Sequence, residues 1–440
     1  MDFFSHLWLY LSGLLSAGEL DAFILKFFLF SLLIEIPLYL IIVFAVMYKY
    51  LQETLMAKRR FGYYPKVSCI VVCYNEGRDI VQTIRSLEQQ YYRGVVEIVV
   101  AVDDAQTNTH TLQAAKQYAK SFNHSPKRVL KIIEKKTRGG HASSMNLWKL
   151  YCTGKIIINL DGDSSCDNDM ISNAVQEFHS EGVVACSGTL KARNADQNLL
   201  TKLQGLEYIL GIHLTRVGLG VMNMVNNLSG AFGIYRAGFL KKTSGWRNGS
   251  AEDLDLTLRI KAYFKRHKNM RVVHSPNSIV YTDVPSTIIS LFKQRMRWDG
   301  DLYYIYVSRH RKKISPRFMG WKNFIFTLWS GLLMSVVLPF VIVASLMYSL
   351  LTLNLYVFLG VLILVYLYYL AITLILYLVY WVFISERKLY DVSYLLVVPL
   401  LPIYNICLKF VTAIAIFTEI LIRSHRDSTM APSWINKKSR

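Results

Sequence analysis

Four stretches of this chain are apolar for longer than the core of a soluble domain can use, and they bracket a long segment that is not. The first, "AFILKFFLFSLLIEIPLYLIIVFAVMYKY", predicts a span over about residues 22–48, interrupted by Lys26 and Glu35 and open to a kink at Pro37. The others are "FIFTLWSGLLMSVVLPFVIVASLMYSLL", "LYVFLGVLILVYLYYLAITLILYLVYWVFI" and "VSYLLVVPLLPIYNICLKFVTAIAIFTEILI". About 20 apolar residues cross the hydrocarbon core of a bilayer, so these runs predict membrane helices rather than buried helices of a large soluble protein. That resolves an odd composition, in which 53% hydrophobic residues accompany a formal net charge of +20. The opening segment 3–16 is too short for a definite span and lacks a basic leader; it reads as an interfacial or marginal helix and not as a signal peptide.

Lysine and arginine near span ends set orientation. Lys49, Lys58, Arg59 and Arg60 follow the first span, while Asp2, Glu19 and Asp21 precede it; Arg309, Arg311, Lys312, Lys313 and Arg317 precede the second. Both flanks of the intervening segment are therefore basic, which predicts a multi-pass protein of the plasma (inner) membrane with that segment in the cytoplasm. Three simple C-terminal spans would put the basic tail, 423–440, outside; Pro399 and Pro402 leave a re-entrant last element as the alternative. Anionic lipid headgroups account for the basic clusters, and no nucleic-acid motif is present. Cys69, Cys73, Cys152, Cys166, Cys186 and Cys407 show no paired metal spacing and suit small apolar fillers in a reducing compartment.

Between the spans, continuous β-branched runs alternate with amphipathic ones. "KVSCIVVCYNE", "VVEIVVAVDD", "RVLKIIEKK" and "GKIIINLDGDSSCD" read as strands; "GRDIVQTIRSLEQQ", "TLQAAKQYAKSF" and "HASSMNLWKLY" read as helices. The alternation predicts an α/β domain with a mostly parallel sheet covered on both faces, whose ligands bind beyond the carboxyl ends of the strands. Polar residues gather at those ends: Tyr74, Asn75 and Glu76, then Asp103 and Asp104, then Asp161 and Asp163. One such group is an ordinary turn former; three at one sheet edge point to a ligand. No G-x-G-x-x-G follows the first strand and no P-loop occurs, so the site works through carboxylates rather than a glycine cradle.

Three motifs carry the chemistry. In "DGD", carboxylates at i and i+2 of an extended backbone face the same way and suit Mg²⁺ or Mn²⁺, which take carboxylate oxygen and often keep substrate phosphate in the shell. In "NGSAEDLDLTLRIKAYF", Glu252 and Asp253 open a helix. Ser250 or Asp253 could simply cap it, or one carboxylate could serve as general base. "FKQRMRWDGD" puts Gln294, Arg297 and Trp298 at i, i+3 and i+4, on one helix face. Arg297 offers paired donors to phosphate, and Trp298 a flat apolar face for a sugar ring.

Taken in order, these motifs resemble the membrane-embedded, processive glycosyltransferases of family 2, which include cellulose, chitin, hyaluronan and poly-N-acetylglucosamine synthases. The likeness runs from about Pro65 to Gly300, rests most specifically on Q-x-x-R-W, and includes "SGAFGIYRAGFL". It implies a Rossmann-like GT-A domain over 65–285 and interfacial helices with Q-x-x-R-W over 286–320. Membrane regions would occupy 1–64 and 321–422, the second with about three elements. By resemblance, Tyr74, Asn75, Glu76, Asp103 and Asp104 hold the nucleotide, Asp161 and Asp163 the metal and diphosphate, and Gln294 and Arg297 the diphosphate. Asp253 is then the base with Glu252 beside it, and Ser229, Gly230, Phe232 and Trp298 meet the acceptor. Two positions depart from the family pattern: Ala105 stands where Gly is common, and His141, in a supporting role at the diphosphate, stands where many relatives carry Lys.

The implied reaction is an inverting β-transfer by a UDP-sugar-dependent hexosyltransferase with Mg²⁺ or Mn²⁺. The donor would be a UDP-sugar, by analogy UDP-N-acetylglucosamine, and the acceptor a growing polysaccharide that is moved across the bilayer. A small membrane accessory subunit is compatible with this reading. The alternatives are a single addition to a lipid carrier, a glucose polymer synthase, or a transport or scaffolding component that no longer turns over.

Overall fold

The computed structural model describes residues 31–55 and 62–427, with Ser5 and Leu29 as isolated positions. The short helix expected over 3–16, most of the first apolar run before Ser31 and the tail beyond Asp427 lie outside the described residues. Helix α1, Ser31–Leu55, continues past Tyr48 through "LQETL".

The soluble segment builds one eight-stranded sheet: β1 Val67–Cys73, β2 Val96–Val102, β3 Arg128–Glu134, β4 Ile156–Asp161, β5 Ser165–Cys166, β6 Val183–Ala192, β7 Phe232–Arg236 and β8 Arg271–Thr282. Every residue of β1 and β2 is buried, the state that a continuous Val/Ile run predicts for a parallel strand covered on both faces. Helices α2 Asp79–Glu88, α3 Thr109–Ser121, α4 His141–Met145 and α5 Met170–Glu177 supply the cover. The strand order is β3-β2-β1-β4-β7-β6-β8-β5. Strands β1 to β4 are parallel, so their carboxyl ends share one edge, and the order reverses between β1 and β4, the place where such sheets open a crevice.

Strand β7 enters antiparallel to β4, with Phe232 opposite Leu160. That register brings the start of β7, and hence Ser229–Ala231, to the same edge as the end of β4. Antiparallel pairing also joins β7 to β6 and β5 to β8.

Helices α6 Leu199–Tyr208 and α7 Thr215–Val221 lead from the sheet toward α1, and α8 Glu252–Lys261 precedes β8. Helix α9, Ile288–Tyr303, carries the Q-x-x-R-W sequence and starts with a reciprocal Thr287–Ser290 capping box. Three long apolar helices follow: α10 Pro316–Thr352, α11 Leu355–Ile384 and α12 Val398–Ile422. Gly320, at φ 75° and ψ 161°, breaks α10, so its apolar part begins at Trp321. With α1 these make four helices, among the described residues, long and apolar enough to cross a membrane; only 22–33% of each apolar window is buried. The outward faces (Leu33, Phe44, Leu367, Phe417, Leu421) therefore present hydrocarbon that water would penalise. A second core, including Ile42, Leu206, Val217, Leu291, Tyr377 and Tyr404, ties α6, α7 and α9 to these helices.

Candidate active site

Asp253, in the first turn of α8, is held from three directions. Asn227 Nδ2 and the Gly230 backbone N–H donate to its Oδ2, at 3.0 and 2.9 Å, and the Leu254 N–H donates to Oδ1 at 2.7 Å. Asn159 of β4 sets Gly230 in turn, because its amide donates to the Gly230 carbonyl and accepts from Gly233 N–H at 3.1 Å. Burial and the neighbouring Glu252 charge raise the Asp253 carboxyl above its usual range. No side chain caps from the position before the helix, Ala251, which is left-handed at φ 50°, and among the first-turn N–H groups Asp253 takes only that of its neighbour Leu254. Ser250 instead donates to the buried carboxyl of Asp301 on α9. Burial raises Asp301 to about 8, so at neutral pH it is chiefly the acid.

Glu252 is 4% exposed and lies 2.7 Å from His141 Nδ1, while His141 Nε2 lies 3.1 Å from Asp161 Oδ1. Burial alone would lower the His141 pKa, but the hydrogen bonds to Asp161 and Glu252 outweigh it and hold it well above the usual histidine value. The imidazolium thus donates from both nitrogens and ties the end of β4 to the start of α8. Where relatives of the resembled family carry Lys, this chain keeps a cation.

Asp161 closes β4, but Gly162 and Asp163 already form a turn, so the extended geometry expected for "DGD" does not occur. The turn still brings the two carboxyls into each other's field: burial first, then the Asp161 charge, raises Asp163 to about 6. Glu76 sits beside them, its Oε2 buried without a partner and its carboxyl raised by burial to about 7. Among the described residues no three metal-ligating side chains converge. Two carboxylates with an orphaned third oxygen nearby suit a cation that shares its shell with phosphate and water, the habit of Mg²⁺ at nucleotide sites.

The remaining expected residues divide. Tyr74 is exposed, with the Arg138 guanidinium 4.2 Å above its ring, and Asn75 adopts φ 79° in the same loop. The Asp103 carboxylate is already occupied: Lys135 Nζ (2.7 Å), Gly139 N–H (3.0 Å) and Gly140 N–H (2.8 Å) all donate to it. Asp103 thus folds the loop before His141, and Asp104 binds Thr107 at 2.7 Å. Ser229 and Gly230 lie at the edge, but Phe232 does not. Its ring is fully buried in the domain core against Gly188, so the acceptor role expected for it is corrected to a packing role. On α9, Trp298 is 38% exposed, and the guanidinium over its ring, at 5.2 Å, is that of Arg295. Arg295 also pairs with Glu207 at 2.7 Å. Arg297 forms no ion pair among the described residues and stays available to an anion, and its positive charge opposes the rise at Asp301 to which Glu252 contributes. Gln294 Oε1 is buried without a partner. Asn159, Asn227, Arg138 and Asp301 were not foreseen; only Asp301, at i+4 from Arg297, carried a local signal.

Residues 68–242 match glycosyl transferase family 2, and residues 156–385, more than half the chain, match glycosyl transferase family group 2. An N-acetylglucosaminyltransferase of Azorhizobium caulinodans is 27% identical over 251 residues, 54% of this chain and 60% of that protein. A poly-beta-1,6-N-acetyl-D-glucosamine synthase of Staphylococcus epidermidis is 23% identical over 279 residues, 61% of this chain and 64% of that one. The chain thus spans under two thirds of the length of these relatives. Among solved structures, a mannosyltransferase from Pyrobaculum calidifontis, in complex with GDP-Man and Mn²⁺, superposes with a TM-score of 0.54 at 17% identity, over 87% of this chain and 99% of that chain. That likeness gives the fold, a GT-A-like sheet with flanking helices.

Proposed function

This chain belongs to glycosyl transferase family group 2, and on that premise we propose that it transfers hexose from a UDP-sugar to a growing polysaccharide and passes the product across the membrane. The observation that carries the reading is the convergence on one sheet edge of Asp253, Glu252, His141, Asp161 and Asp163. The donor best supported is UDP-N-acetylglucosamine, since relatives bear that sugar in their names.

In this reading Tyr74, Asn75 and Arg138 border the nucleotide, and Arg297 meets the diphosphate. Asp161 and Asp163 would hold Mg²⁺ or Mn²⁺, which when bound would supply charge neutralisation for the departing diphosphate. His141 holds the Asp161 carboxylate in place and keeps positive charge beside it. Asp253 Oδ2, its position fixed by Gly230 and Asn227, takes the proton of the acceptor hydroxyl. The oxygen so freed attacks the anomeric carbon from the face opposite UDP, which inverts configuration. The exposed face of Trp298 supports the acceptor ring. The basic flanks of the sheet domain support a cytoplasmic location for it.

A screen of radiolabelled UDP-sugars against membranes carrying the protein, with product sizing and linkage-specific digestion, tests this. Incorporation of N-acetylglucosamine into long chains is expected. A single addition to lipid would replace the polymer reading by the carrier one, and glucose polymer would replace the donor.

A further inference from the structure

A cavity of about 370 Å³ opens at the far end of α8 from Asp253, and Lys242, Arg247, Arg259, Arg266 and Lys313 line it around Tyr263. No carboxylate lines it. The nearest counter-charge, Asp255, is already shared by Arg259 (2.7 Å), Arg309 (3.2 Å) and His310 (2.7 Å). Lys242, Arg247, Arg266 and Lys313 make no ion pair among the described residues. Burial and then the Arg247 charge lower the Lys313 pKa, as expected for cations crowded together. A second hollow, walled by Lys265, Arg266 and Lys268, adjoins it through Arg266.

The ordinary explanation for cations at a helix C-terminus is the helix dipole, worth about half a negative charge. Asp255 adds one more. Five cations against that sum leave a surplus of about three and a half charges, and bilayer-facing lysines would fan out rather than converge on a hollow. Arginine forks beside lysine point charges are the standard recognition set for phosphate oxygens. Phe318 also lines the cavity, two residues before the Gly320 break that opens the apolar part of α10. The hollow therefore sits at headgroup level if α10 enters a bilayer there.

We propose that this cavity binds a phosphate-bearing anion at the membrane surface, and that the anion fastens the 309–316 elbow to α8. The proposal is independent of the transferase reading, because binding is measured without turnover. The full chain is placed in nanodiscs of phosphatidylcholine, with or without phosphatidylglycerol, and retained lipids are counted by native mass spectrometry. In a second arm, phosphatidylcholine discs are titrated with sn-glycerol 3-phosphate while thermal unfolding is followed. Selective retention of phosphatidylglycerol identifies a lipid source; saturable stabilisation by glycerol phosphate alone identifies a soluble one. In either case Arg247→Gln/Arg266→Gln/Lys313→Gln should weaken the effect at least about tenfold, since charge-assisted contacts carry it. Lys116→Gln/Lys120→Gln/Lys127→Gln, with equal charge removed elsewhere, should not. Absence of both effects in the unaltered protein, equal loss in both triple variants, or undiminished binding in the cavity variant would overturn the proposal.

Discussion

Asp253, half-buried, and Asp301, buried, are both carboxyls raised by desolvation, but they face opposite demands. A base must lose its proton, and Asp253, in the role of base proposed for it, does so above the usual aspartate range because burial and Glu252 oppose its charge. Transfer should therefore rise with pH along an acidic limb displaced upward from about 3.9, which a rate profile at saturating donor would show; a limb at the ordinary aspartate value would contradict it. Asp301 instead stays protonated. Its folded pKa of about 8 exceeds the unfolded 3.8, so the folded state binds the extra proton and stability falls as pH rises between those values. Asp301→Asn should flatten the loss of melting temperature between pH 6 and pH 8.5; an unchanged slope would remove Asp301 as its source. The Glu252–Asp253 pair was legible in sequence because two adjacent acids open a helix. The partners that make it a site were not. Asn159 reaches Gly230 across 71 positions and Ser250 reaches Asp301 across 51, and no local pattern encodes such pairings. Phe232 differs for a related reason: resemblance put its segment beside the acceptor, whereas pairing of β7 with β4 and β6 leaves its ring in the core.

Helix α8 joins both ends of the argument. Its first turn carries Glu252 and Asp253, while Asp255, 0% exposed, anchors the segment after α9 through His310 and Arg309. His310→Ala should cost about 2 kcal/mol, the value of a hydrogen bond to a buried charge, read as a lower melting temperature in detergent. A cost near zero would mean that Arg259 and Arg309 suffice. At this scale the parallel strands were plain, since β1, β2 and β4 are apolar runs interrupted only by Ser68, by Glu97 and by Asn159 before the terminal Asp161. The antiparallel insertion of β7 was not, because a five-residue strand in a Gly-containing segment looks like loop until its partners are known. The turn at Gly162 escaped detection for the same reason: strand periodicity says nothing about where a strand stops.

The whole molecule is a soluble sheet domain set on four apolar helices by a shared core. Two acidic groups between the helices are paired, as hydrocarbon requires. Glu35, the acid interrupting the first apolar run, accepts from Ser31 and Tyr369, each at 2.6 Å, and Thr412 of α12 donates to Asp299 of α9 at 2.7 Å. These contacts fix Trp298 and Arg297 relative to the membrane helices. The most direct test of the account is UDP release by the purified full chain in nanodiscs with Mn²⁺ and UDP-N-acetylglucosamine, comparing the unaltered protein with Asp253→Asn and measuring UDP affinity alongside. The account predicts release by the unaltered protein, a fall of at least about 10³-fold in the variant, and UDP affinity preserved within about threefold, less than 1 kcal/mol. Near-normal release by Asp253→Asn would contradict it.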